Sequence, residues 1–178
     1  MADIKGKFIT LCGELMSVYK DKLKEADDVL FKKTGLHYNE LDPEDFYDTK
    51  ILRMFMDKYA EGSITKEKAL ITLWTGVYPL IKRTVGFPDY VKTPLDLLKY
   101  EMDGYLANHR GSDIKPRKLV EAVDGKVVIC APAPGYSQKL YEGVYLGILK
   151  MFGVKNRNVV MTKGAPDFEY TITWDTKR

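Results

Sequence analysis

Apolar residues recur at helical spacing through most of the chain, and the period changes only after Pro116. Ile4, Phe8, Leu11, Cys12, Leu15 and Tyr19 fall three or four apart and predict a first amphipathic helix. The stretch "EADDVLFKKTG" predicts a short second helix with Gly35 as its C-cap. In "DPEDFYDTKILRMFMDKYAEG", Asp42 reads as an N-cap, Pro43 as the first helical residue and Gly62 as the stop. "TKEKALITLWTGVYPLIKRT" is helical again, but Pro79 removes a backbone donor from its interior, so a break is expected near Tyr78. Thr93–Pro94 opens another helix, expected to run to Gly111.

Beyond Pro116 the pattern becomes β-type. "KLVEAV-DG-KVVICA" reads as two strands, 118–123 and 126–131, joined by an Asp124–Gly125 turn. A helix over 137–152 follows, with Ser137 as N-cap, Gly153 as C-cap and an apolar stripe of Leu140, Val144, Ile148 and Met151. A second hairpin, 157–162 and 167–174, completes the chain. Helices first, then four antiparallel strands with a helix between the two hairpins and packed on one sheet face, define an α+β protein. With 178 residues and no linker or repeat, one domain is expected.

Composition narrows the function classes. Lys plus Arg number 28 against 25 Asp plus Glu, and this dispersed net charge of +3 predicts no nucleic-acid partner. No apolar run reaches the ~18–20 residues that span a bilayer, so no membrane insertion is expected. The first residues carry charges within their apolar segment and no cleavage-like site, which predicts no signal peptide. Cys12 and Cys130 make neither a C-x-x-C motif nor a disulfide framework, and a cytoplasmic setting is expected. Two histidines and two distant cysteines do not form a zinc site. Dinucleotide, phosphate-loop, zinc-protease and serine-hydrolase motifs are all missing, so no enzyme activity is expected. The pairs Asp27–Asp28 and Glu44–Asp45 suit helix starts, and Cys130 suits a small core position.

The order of these elements resembles the H-NOX family, the haem-nitric-oxide/oxygen-binding sensors, over essentially the whole chain. Phe87-Pro88-Asp89-Tyr90 is similar to the family's aromatic corner before the haem-side helix. Pro116 stands where the family places a proline against the porphyrin, and "KLYEGVYLGILKMFG" is similar to its Gly-rich helix. The resemblance implies a helical distal part (1–62), a ligand-side part with the sheet (63–178) and haem in the cleft between them. It also implies a signalling partner such as a histidine kinase or chemoreceptor.

The chain departs from the family at the residues that hold haem. The proximal histidine position falls between Met102 and Ala107, and none of these residues is histidine. The Tyr-x-Ser-x-Arg clamp is replaced by "PGYSQK", with Gln138 or Lys139 near the arginine position, and neither reproduces a bidentate guanidinium. If haem binds, its axial ligand must come from Met102, Tyr105 or His109, expected on one helix face, with His109 the metal-ligand candidate. The competing expectation is core packing for Met102 and Tyr105, and a partly positive His109 at the helix end. His37 is expected in a surface loop. In "APAPGYS" the prolines end the strand near Ala131, and Tyr136, Ser137 and Gln138 at a helix N-terminus are expected to receive an acidic group such as a propionate. Pro79 and Pro88 bracket a segment expected to line the cleft beside Trp74 and Tyr78. Two functions follow: a sensor module for haem or a similar flat apolar ligand, or a haem-free scaffold or regulator. The second would bind a different apolar small molecule, as the similar vinyl-reductase-type domains do, or only protein.

Overall fold

Chain order in the computed structural model, which describes residues 1–132, 135–163 and 167–176, runs from a helical part into a four-stranded sheet. The elements are β1 (Asp3–Lys5), α1 (Lys7–Met16), α2 (Lys20–Thr34), β2 (Phe46–Asp48), α3 (Thr49–Tyr59), α4 (Lys66–Thr75) and α5 (Val77–Thr84). Then come α6 (Pro94–Asn108), β3 (His109–Arg110), β4 (Lys118–Val123), β5 (Lys126–Ala131), α7 (Leu140–Met151), β6 (Asn158–Lys163) and β7 (Phe168–Thr173). No helix among the described residues is long and apolar enough to cross a membrane.

The larger sheet is antiparallel in the order β4-β5-β7-β6. Its register sets Val127 opposite Ile172 and Ile129 opposite Tyr170, and these four side chains, with Ala131, are buried. Alternation therefore gives one apolar face, and α7 buries Leu140, Tyr141, Val144, Tyr145, Ile148 and Leu149 in the same hydrophobic cluster. Gly125 takes φ +87 in the two-residue β4–β5 turn, a conformation that favours glycine. On its other side α7 meets α4 through two small residues. A Cβ at Gly147 would lie 2.5 Å from the Thr75 carbonyl oxygen, and one at Gly143 would lie 2.9 Å from the Trp74 Cβ. Only glycine permits that backbone approach.

Local signals placed several boundaries correctly. α6 begins with a capping box: the Asp96 N–H donates to Thr93 Oγ1, the Thr93 N–H donates to the Asp96 carboxylate, and Pro94 follows as the first helical residue. Gly35 caps α2 with φ 75, and Gly153 follows the C-cap of α7 with φ 65. The expected break near Tyr78 occurs at Gly76, between α4 and α5. Pro79 then occupies the first turn of α5, where a missing N–H goes unneeded.

Other boundaries differ for non-local reasons. Ile4 is not helical: β1 is the centre of a second, three-stranded sheet of order β2-β1-β3, in which Asp3 pairs with Asp48 and Ile4 with His109. That pairing also removes residues 43–48 from the third helix. Asp48, not Asp42, is the N-cap, accepting from the Lys50 N–H at 2.9 Å, and the helix ends at Tyr59 rather than Gly62. α2 starts five residues before its expected first residue, at Lys20. α6 stops at Asn108 because His109 and Arg110 join β1. Ser137 does not cap α7. Its carbonyl accepts from the Leu140 N–H in a turn, and the helix starts at Leu140. Pro134 and the 164–166 turn lie outside the described residues.

Candidate ligand cavity

A cavity of about 350 Å³ lies between α1, α5, α6 and α7, where the helical part meets the sheet-bearing part. α1 contributes Phe8 and Leu11; α4 and α5 contribute Trp74, Tyr78 and Ile81; Phe87 enters from the loop before α6. Tyr78 stacks on Phe87 at 6.0 Å, Phe87 meets Tyr100 edge-on at 6.1 Å, and Trp74 stacks on Tyr136 at 6.0 Å. Trp74 is fixed from behind, where its indole N–H donates to Met56 Sδ at 2.9 Å.

The floor is polar, and its bonding pattern can be deduced. Burial lowers the His109 pKa to about 4, so the ring is neutral with one N–H. Nδ1 lies 2.9 Å from the Tyr105 carbonyl oxygen, which only accepts, so the proton is on Nδ1. Nε2, 3.0 Å from the Tyr136 hydroxyl, must then accept from it. With its proton committed, Tyr136 accepts from the Tyr141 hydroxyl at 2.9 Å. The partly positive helix cap expected of His109 is thus replaced by a buried neutral ring at the head of a tyrosine chain.

Beside this chain Arg117 pairs with Glu101, both almost fully buried. The guanidinium carbon lies 4.2 Å from the centroids of both the Tyr105 and the Tyr141 ring. Burial opposes the Arg117 charge, but the Glu101 carboxylate and the neighbouring tyrosines outweigh it and hold its pKa well above the ordinary value. Arg117 uses Nη1 to reach Glu101 Oε2. Its Nε and the Tyr105 hydroxyl are sealed from solvent and have no partner among the described residues. Glu101 Oε1 differs: it makes no hydrogen bond among the described residues and is not among the sealed atoms, and Glu101 lines the cavity.

Of the residues singled out from the sequence, Trp74, Tyr78, Tyr105, His109 and Tyr136 meet at the cavity. Met102 does not: it is partly buried against the core and absent from the lining, so it shares no cavity-facing surface with Tyr105 and His109. His109 itself is in β3 rather than on the helix. Pro116 and Ser137 are exposed, and Gln138 is turned away, with Oε1 accepting from the Tyr170 hydroxyl at 2.9 Å. The expected cradle for an acidic group is therefore reduced to Tyr136, and Glu101 lines the same space. His37 is at the surface as expected, paired with Asp27 at 2.7 Å. Sequence reasoning missed Glu101 and Arg117. Glu101 carried a readable signal, because it shares the apolar face of α6 with Leu97, Leu98 and Tyr105.

These residues do not fit haem. A cavity of ~150 Å³ accommodates benzene, so about 350 Å³ accommodates roughly two fused rings and not a tetrapyrrole. Both His109 nitrogens are engaged, and desolvation raises the Tyr105 pKa and keeps its phenol protonated. The charge of Arg117 is already balanced by Glu101, and the described residues hold no second buried cation for a propionate. The described residues also hold no cluster of three metal-binding side chains.

The architecture defines an α+β module with a ligand-sized cavity at the junction of its helical and sheet-bearing parts. Its fold is that of H-NOX. No family model and no curated protein matches the chain. Among solved structures it is similar to a variant of Tt H-NOX, with TM-score 0.75 and 12% identity over 97% of this chain and 96% of that one. It is similar to the Fe(II) unliganded H-NOX protein from K. algicida, with TM-score 0.66 and 12% identity over 98% of both. A third match, at TM-score 0.74 and 12% identity over 97% and 96%, concerns haem distortion in the H-NOX family.

Proposed function

We propose that this chain is a sensor module of H-NOX fold whose cavity takes a small, neutral, mostly apolar ring molecule in place of haem. Occupancy is passed to a separate partner protein. The observation that supports this reading is the cavity itself: about 350 Å³, walled by Phe8, Trp74, Tyr78 and Phe87, with the buried Arg117–Glu101 pair in its floor. Such walls bury a flat apolar body, and the floor supplies few but fixed polar contacts. The resemblance noted in the sequence supports a signalling role, and the departures from the haem-holding residues support a changed ligand.

The test has two arms. Titration with haem should produce no saturable Soret change. Naphthalene derivatives should raise the melting temperature, since ligand at about a hundredfold its Kd stabilises by ~2.7 kcal/mol, or roughly 5–10 °C for a domain of this size. A saturable one-to-one Soret band, or no shift with any two-ring compound, overturns the proposal.

A further inference from the structure

We infer that the cavity recognises a neutral ring compound bearing an O–H or N–H donor, which the Glu101 carboxylate receives through Oε1; this rests on the reading of the cavity given above. Oε2 is taken by Arg117, whereas Oε1 has no partner among the described residues and is not sealed, and Glu101 lines the cavity. A carboxylate oxygen accepts strongly, and a bond to an ionised acceptor is roughly twice as strong as a neutral one. Among the neighbouring polar atoms, His109 Nε2 and the Tyr136 hydroxyl are engaged with each other, and Arg117 Nε and the Tyr105 hydroxyl are sealed. Arg117 Nη2 and the Tyr78 hydroxyl, like Oε1, make no hydrogen bond among the described residues and are not sealed, but neither is an ionised acceptor.

Charge decides the rest. Arg117 already balances Glu101, and His109 is neutral, so the floor carries no net charge. A ligand carboxylate would lie against Glu101, with Arg117 already balanced and Lys7 of the lining paired with Glu44 at 3.6 Å. A ligand ammonium would meet a carboxylate whose charge is already matched, with the Arg117 guanidinium beside it. A neutral donor pairs Oε1 without stranding a charge in a buried site. The site thus selects phenol-like or indole-like molecules, opposite in character to the acidic group that the 136–138 segment suggested.

Calorimetric titration at pH 7 with four probes of one size tests this: 2-naphthol, 2-methylnaphthalene, 2-naphthoate and 2-(aminomethyl)naphthalene. 2-Naphthol should bind at least about tenfold tighter than its methyl isostere, the scale set by one hydrogen bond to a charged group, and tighter than the acid and the amine. In the double variant Glu101→Met/Arg117→Met, which removes both charges and keeps an apolar filling, the naphthol preference should fall to about onefold while 2-methylnaphthalene still binds. Equal binding of naphthol and the methyl isostere overturns the inference and leaves the cavity reading intact. A preference for the acid or the amine, or a naphthol preference that survives in the double variant, also overturns it. No binding of any probe removes the cavity reading as well.

Discussion

The core under the N-terminal helices and the core around the cavity are filled with different materials. Between α1, α2 and α3 the buried side chains are mostly apolar, Ile9, Cys12, Met16, Ala26, Leu30, Leu52, Phe55 and Met56 with Thr49 and Tyr59, and burial pushes the Cys12 thiol up to about 12. Around the cavity the buried set includes Tyr105, Tyr136, Tyr141, Tyr145 and Tyr170 together with Glu101, His109 and Arg117. The first region resists change by packing alone. The second contains charges and hydroxyls that stabilise only as a complete set, and such a set is hard to explain by stability, because an apolar filling would serve as well or better. The difference marks the cavity floor as the part of the core whose composition folding alone does not require.

Breaking each core should give different signatures. The largest effect is expected from Arg117→Ala, which strands Glu101 and should cost about 3–5 kcal/mol in urea unfolding. Glu101→Met/Arg117→Met should recover to near the wild-type value. Phe55→Ala should lose a similar ~3–5 kcal/mol through its cavity, with no second truncation restoring it. If the double variant is as unstable as Arg117→Ala, the pair is not the self-contained unit described here.

Acid should separate the regions next. His109 has a folded-state pKa of about 4 against an ordinary 6.5. The unfolded chain therefore takes up its proton first. The contribution is complete above about pH 7 and is lost as pH falls through 6.5 toward 4, up to about 3 kcal/mol. His109→Phe should flatten that limb relative to wild type, and an unchanged pH profile would mean that His109 is not held neutral. Gly147→Ala should cost about 1–3 kcal/mol by overpacking against the Thr75 carbonyl, read as a lower urea midpoint. The smallest effect is expected outside both cores: Thr93→Ala removes one half of a capping box, for about 1 kcal/mol, and a neutral result would show that Asp96 holds the helix start alone.

How much of this was legible depended on distance along the chain. The Thr93–Pro94 helix start, the Asp124–Gly125 turn and Gly35 as a cap are decided within four residues, and they were readable. The β2-β1-β3 sheet was not, since strands of two or three residues carry no period and their partners lie over forty and a hundred positions away. At the site, Trp74 and Tyr78 were visible as cleft walls because they are large and flank a break in a helical pattern that was correctly placed. The Arg117–Glu101 pair was invisible as a pair, since only tertiary folding brings residues sixteen apart together. Ser137 and Gln138 misled because the N-cap they implied was displaced to a turn, which swung both away from the cavity.

The glycine seam between α4 and α7 has a mechanical consequence. Trp74 on α4 and Tyr141 and Val144 on α7 wall the cavity, and behind them the two backbones already touch at Gly143 and Gly147. The walls cannot close further by moving together. A change in the spacing of these walls on filling would therefore have to come from the two helices sliding past each other rather than closing, shear rather than breathing. Sliding of two packed helices moves their ends as well as their middles, so a ligand held at Trp74 and Tyr141 is coupled by rigid backbone to the ends of α4 and α7.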